Sequence, residues 1–135
     1  MKRVIVAEDE PYLARMLRLA LGRSGYRVKT APDGNTAWEM LTEEAPDALI
    51  TAATLAGISG VELCRRIRHE LPHRDLPTII MTGRAEEATR REASRMGRII
   101  VLDKPVSIRT LLSQLDTFFA NDSMADTLVG EERIR

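Results

Sequence analysis

Four side chains of this 135-residue sequence could act together on a phosphoryl group. Glu8 and Asp9 follow one short apolar run. Thr82 ends another such run, and Lys104 follows a third. Carboxylates hold Mg²⁺, while a lysine ammonium and a threonine hydroxyl contact phosphate oxygens. Taken singly, the acids could form a solvated helix-capping turn and the lysine could lie on the surface. Phosphoryl chemistry is favoured only if the fold brings all four to one place.

Five short apolar runs predict the strands that would position these residues: Arg3–Ala7, Tyr26–Ala31, Asp47–Ala52, Pro77–Thr82 and Arg98–Leu102. Four of the runs are nearly continuous in Val, Ile and Leu, as in parallel strands that are covered on both faces. The second run alternates apolar and basic residues. A period of two indicates an edge strand with one solvent-exposed face.

Amphipathic stripes between these runs predict the connecting helices. Asp33 is placed to cap the second helix and Ser107 the fifth, and Pro72 ends the third. The fifth helix has the strongest apolar stripe, which runs from Ile108 to Phe119. The fourth, at about residues 84–96, offers little apolar contact beyond alanines and one methionine, so we expect it to dock loosely.

The alternation of strands and helices predicts an α/β fold: a doubly wound five-stranded parallel sheet, order 2-1-3-4-5, with helices on both faces. Sites in such sheets lie beyond the carboxyl ends of the strands, where the winding reverses. In the order 2-1-3-4-5 the winding reverses between strands 1 and 3, and we expect a crevice there. We therefore expect it to collect the strand-end residues Glu8, Asp9, Ala52, Thr82 and Lys104.

Length and composition predict a single globular domain over residues 1–119, with residues 120–135 as a tail or linker. Twenty basic and twenty acidic residues cancel, so no overall field attracts nucleic acid or anionic lipid. No apolar run approaches the roughly 18 residues of a membrane span. The single Cys64 cannot form an internal disulfide, which favours a cytoplasmic location.

Five sequence blocks, in order and without large gaps, resemble the receiver domain of two-component response regulators, the CheY-like superfamily. They are "VIVAEDEPYLARMLRLAL", "GYRVKTAPDGNTAWEML", "PDALITAATLAGISGVEL", "PTIIMTG" and "VLDKPVSIRTLL". The resemblance covers about residues 2–119 and implies a flavodoxin/CheY-like fold. In that family a histidine kinase passes phosphate to an aspartate at the end of strand 3.

The resemblance also implies a role for each strand-end residue. Glu8, Asp9 and the backbone carbonyl of Thr54 would hold Mg²⁺. Thr82 matches the switch hydroxyl of the family, and Lys104 matches its phosphate-contacting lysine. Ala52 occupies the position of the phosphoaccepting aspartate.

A methyl group has no oxygen that could attack phosphorus, so Ala52 predicts that no acyl phosphate forms at the usual site and that the Mg²⁺ site is weakened or empty. Asp9 remains a slow alternative acceptor. Two further departures are Val101, where the family carries the aromatic switch residue, and Ala56, where proline is common. The chain is then either a natural pseudo-receiver that signals without phosphorylation or an engineered phospho-null form.

We expect no enzymatic activity. The expected partners are a histidine kinase or phosphotransfer protein, a downstream protein that binds the surface of helix 4, strand 5 and helix 5, or both. A homodimer is a further alternative. Basic and acidic residues are interleaved on helices 3 and 4, which argues against direct nucleic-acid binding. The alternatives are a metal-dependent phosphotransferase or phosphatase, a flavin or nucleotide binder, and the regulatory part of a longer DNA-binding regulator or enzyme.

Overall fold

A computed structural model of the chain describes residues 1–73, 75–83 and 87–134, the stretch from 122 onward as backbone only. The strands are β1 (Arg3–Ala7), β2 (Arg27–Ala31), β3 (Ala48–Ala52), β4 (Thr78–Thr82) and β5 (Ile99–Asp103). The helices are α1 (Pro11–Arg23), α2 (Gly34–Glu43), α3 (Gly60–Glu70), α4 (Glu87–Met96) and α5 (Ile108–Ile134). All strand pairs are parallel and the order is β2-β1-β3-β4-β5, so the predicted fold is confirmed.

Four of the strands begin one residue later than the apolar runs predict, and local chemistry explains three of these shifts. The amide of Tyr26 is used to close the end of α1, where it donates to the carbonyl of Leu21 at 3.1 Å. Pro77 has no amide hydrogen to give to a strand ladder. Arg98 has a φ of 54°, in the left-handed region, so extended backbone starts only after it.

The core lies in two apolar layers, one on each face of the sheet. One layer packs Ile5 and Leu49 beneath α2 and α3, with Leu41 and Ile67 from those helices. The other packs residues of the same strands against α1 and α5. Strands β3 and β4 are buried along their whole length, while β2 alternates between exposed and covered residues. The expected edge strand is therefore confirmed.

The helix caps agree with the sequence pattern. The side chain of Asp33 accepts a hydrogen bond from the amide of Thr36 at 2.7 Å at the start of α2. Ser107 accepts one from the amide of Thr110 at 3.2 Å at the start of α5. These bonds satisfy amides that the helix itself leaves without a partner.

Helix α4 has a thin apolar contact, because Thr89 and Ala93 are its buried residues. Ion pairs connect it to its neighbours on two sides. Arg90 binds Asp103 at the end of β5 with 2.7 Å between Nη2 and Oδ1, and Glu92 pairs with Arg65 of α3. Exposed pairs of this kind contribute about 0–1 kcal/mol each, so they add little to the small apolar contact of α4.

Helix α5 continues well beyond the stripe that ends at Phe119, as far as Ile134. The division of the chain at residue 119 remains a prediction. In the part of the chain that the model describes, no helix has the length and apolar character required to cross a membrane.

Candidate functional site at the carboxyl ends of the strands

The acidic turn after β1 places its first two carboxylates in different surroundings. Glu8 is buried, with 2% of its surface exposed, and its amide donates to the carbonyl of Ala31 at 3.0 Å. Asp9 is exposed. Glu10 stands at the N-cap of α1 but its side chain makes no capping hydrogen bond, and Pro11 starts the helix. The turn is therefore more than a solvated helix cap, because it directs one carboxylate into the protein.

Lys104, which follows β5, contacts the buried carboxylate of Glu8. Its Nζ lies 2.9 Å from Oε1 and 3.2 Å from Oε2 of Glu8. The amide of Lys104 also donates to the carbonyl of Thr82 at 2.6 Å. The ion pair thus joins the ends of β1 and β5, which β3 and β4 separate in the sheet. Lys104 is not an ordinary surface lysine, since three-quarters of its side chain is covered.

Ala52 ends β3, between the strands that carry Glu8 and Lys104, and it is 2% exposed. Its carbonyl accepts a hydrogen bond from the hydroxyl of the buried Thr51 at 2.9 Å. That hydroxyl is therefore already engaged. Thr82 is buried at the end of β4, and Thr54 is exposed in the loop that follows β3.

The loop between β3 and α3 is held from both ends. The amide of Gly34, at the start of α2, donates to the carbonyl of Ala56 at 3.0 Å. The amide of Gly60, at the start of α3, donates to the carbonyl of Ala53 at 2.9 Å. The hydrophobic pattern does not reveal that these two glycines support the site, although "PDGN" and "ISG" are typical of close turns.

Gly60 has no room for a side chain, and this gives a direct test of the packing at Ala52. A Cβ atom at Gly60 would overlap the carbonyl oxygen of Ala52. We expect Gly60→Ala to lower the free energy of unfolding by about 2 kcal/mol through overpacking. The matched control is Gly22→Ala in α1, where nothing lies within 4 Å of the added atom. The free energy of unfolding of this control should rise by about 0.5 kcal/mol, because alanine lowers the chain entropy of the unfolded state.

Urea unfolding followed by the fluorescence of Trp38 measures both free energies, because this side chain packs against the core. Equal effects of the two substitutions would contradict the close approach of α3 to β3.

Val101 lies on the α4 side of the sheet. It pairs with Ile80 of β4 and packs in a small cluster that contains Cys64 and Ala93. Among the residues that the structure describes, no member of this cluster is aromatic. Cys64 is fully covered, and its burial raises the pKa of the thiol to about 12, so the thiolate needed for nucleophilic chemistry is disfavoured.

Comparison with known proteins gives the class of the molecule. A model of the response regulator receiver domain family matches residues 4–116, and the chain belongs to this family. It is a receiver domain of the two-component response regulator type. Receiver domains are in general signalling domains rather than enzymes, and they typically bind Mg²⁺ at the phosphorylation site.

Particular relatives refine this picture. The phosphate regulon transcriptional regulatory protein PhoB of Rhizobium meliloti is 37% identical over 113 residues, which are 84% of this chain and 50% of that protein. The chain therefore spans half the length of this relative. The chemotaxis protein CheY4 of Vibrio cholerae is 25% identical, with a TM-score of 0.80 over 87% of this chain and 98% of that one.

A CheY-like receiver domain protein from Methanospirillum hungatei is 20% identical. Its TM-score is 0.85 over 93% of this chain and 98% of that one, and this similarity concerns the fold alone.

The residues present here do not fit a magnesium centre well. Mg²⁺ favours six oxygen ligands, commonly carboxylates and water. Of the two carboxylates that follow β1 at this site, that of Glu8 already binds Lys104, and Asp9 is exposed. Ala52 contributes a methyl group. Within the described ranges, no three His, Cys, Asp or Glu side chains are grouped closely enough to hold a metal ion.

Proposed function

We propose that this chain is a receiver domain that takes part in two-component signalling without accepting a phosphoryl group at the usual position. The observation that carries the proposal is Ala52, a methyl group at the end of the strand that lies between Glu8 and Lys104 in the sheet. Formation of an acyl phosphate requires a carboxylate oxygen as the nucleophile.

Nearby nucleophiles do not offer a substitute. The hydroxyl of Thr51 is buried and hydrogen-bonded, and Thr54 is exposed in a loop. The thiol of Cys64 is buried, and desolvation raises its pKa to about 12. Asp9 is exposed in the acidic turn after β1, so a phosphodonor in solvent can reach its carboxylate. Slow phosphorylation of Asp9 is therefore the alternative that the experiment must separate.

The test is incorporation of acid-labile phosphate from a small acyl phosphate in the presence of Mg²⁺, read by intact mass. We expect no phosphorylated form of the protein itself and a singly phosphorylated form of the Ala52→Asp variant. Asp9→Asn in both backgrounds is the control for the alternative acceptor. Stoichiometric phosphate on the unsubstituted chain would refute signalling without phosphorylation, and loss of this phosphate in Asp9→Asn would identify Asp9 as the acceptor.

The proposal takes Ala52 as the natural residue rather than an engineered one. Two departures from the family pattern at other positions support this, because a single deliberate substitution would not introduce Val101 and Ala56 as well. The codon for residue 52 in the source genome decides the matter. An aspartate codon there would show that the sequence is a phospho-null form.

The same proposal includes a cytoplasmic histidine kinase or phosphotransfer protein and a downstream protein as partners. The surface formed by α4, β5 and α5 is our candidate for the downstream contact, since α4 is weakly packed and could adapt to a partner. A second candidate is α1, which exposes Tyr12, Met16 and Leu19 at helical spacing. Charge-reversal at Arg90 and at Arg15 would show which surface a captured partner uses.

A second function is favoured by one specific observation, the similarity to half of a transcriptional regulatory protein. The chain would then be the regulatory part of a longer DNA-binding regulator. The size of the native gene product, measured with an antibody raised against this domain, tests this directly. A product of this domain's size would exclude it.

A further inference from the structure

The buried carboxylate of Glu8 is neutralised from within the protein. Its side chain has no exposed surface, and both of its oxygens lie within hydrogen-bond distance of the Lys104 ammonium, at 2.9 and 3.2 Å. A buried carboxylate without a counter-charge is strongly unfavourable, so this contact satisfies a requirement that a bound metal ion could otherwise meet.

We infer that Lys104 is the resident cation of the site at the strand ends and that it takes the electrostatic place of a divalent metal ion. The pair of Glu8 and Lys104 has no net charge. With a methyl group at position 52, the site lacks a third carboxylate that would give it a net negative charge. Asp9 is exposed, where water stabilises its charge.

Competition explains why the ammonium would exclude Mg²⁺. A metal ion that binds Glu8 would have to displace Lys104 or share the carboxylate with it, and in the second case the two cations would repel each other. The ion would gain in return one buried and one exposed carboxylate. The dehydration of Mg²⁺ is costly, and a site of this kind offers little to offset it.

The inference concerns the metal and does not rest on the proposed function. A domain that accepts no phosphate could still bind Mg²⁺, and a domain that ignores Mg²⁺ could still be phosphorylated elsewhere. Metal binding and phosphate incorporation are measured separately, so each proposal fails on its own result.

The experiment is a titration of the full chain with MgCl₂, followed by calorimetry and by thermal unfolding, in three forms. The unsubstituted protein should show no heat of binding and no rise in the unfolding temperature. Lys104→Met frees the Glu8 carboxylate, and it should bind Mg²⁺ at least about tenfold more tightly than the unsubstituted chain. Lys104→Arg keeps the positive charge, so, like the unsubstituted protein, it should show no heat of Mg²⁺ binding and no rise in the unfolding temperature.

Two results would overturn the inference: Mg²⁺ binding by the unsubstituted protein as tight as that of Lys104→Met, or a Lys104→Met variant that ignores Mg²⁺. If Lys104→Met does not fold in metal-free buffer, refolding on addition of MgCl₂ supports the inference. In that case Lys104→Gln, with a polar side chain beside Glu8, repeats the comparison. Failure of MgCl₂ to stabilise either variant would count against a resident cation.

Discussion

Lys104→Met should lower the free energy of unfolding by about 3 kcal/mol in metal-free buffer, because it leaves a fully buried carboxylate without its partner. Methionine keeps most of the aliphatic stem, so the lost ion pair dominates the effect. Glu8→Gln removes the negative charge instead, and the double variant removes both charges. We expect the double variant to be more stable than Lys104→Met, since the cost comes mainly from the unpaired carboxylate.

Urea unfolding of the four proteins completes this double-mutant cycle. Lys29→Met is the control for loss of a lysine, because Lys29 is exposed on the edge strand. It should change the free energy of unfolding by no more than about 0.5 kcal/mol. A cost for Lys104→Met as small as that of the control would show that the contact with Glu8 contributes little to stability.

Ala52→Asp should make the metal-free protein less stable than Ala52→Asn by about 1–2 kcal/mol. Two carboxylates about 4 Å apart repel by roughly 4 kcal/mol at an effective dielectric of 20, and Lys104 would compensate part of this. Asparagine has nearly the same size and shape, so the comparison isolates the charge. The aspartate also competes with Glu8 for the ammonium of Lys104.

Added MgCl₂ should reduce the difference in the free energy of unfolding between Ala52→Asp and Ala52→Asn. The reason is that a third carboxylate gives a divalent ion the negative charge that the unsubstituted site lacks. Unfolding in urea with and without MgCl₂ measures this change. Equal stability of Ala52→Asp and Ala52→Asn in metal-free buffer would mean that position 52 lies too far from Glu8 for their charges to interact.

Most of the fold was predictable because the buried strands and their connecting helices have different periods in the sequence. Apolar runs located the five strands to within one residue, and Asp33 and Ser107 marked two helix starts correctly. The shifts at strand starts depend on single backbone groups. The φ of Arg98 is one example, because the hydrophobic pattern does not reveal backbone conformation.

The extent of α5 was harder to anticipate. A stripe of apolar residues reveals where a helix packs against a core, and that stripe ends at Phe119. A helix can continue past its packed part wherever the residues tolerate helical backbone, and α5 does so as far as Ile134.

The sequence located the candidate site but not its internal contacts. Parallel strands end at one edge, so the placement of Glu8, Ala52, Thr82 and Lys104 at strand ends followed from the topology. The pairing of Lys104 with Glu8 did not follow, because it depends on which acid turns inward after β1. The roles of Asp9, Thr54 and Val101 remain predictions.

The ion pair of Lys104 and Glu8 links the carboxyl ends of β5 and β1 across the sheet. Under the proposed function, the domain accepts no phosphoryl group at position 52. Its influence in the cell would then depend on its abundance, set by synthesis and degradation, and on competition with phosphorylatable relatives for shared partners.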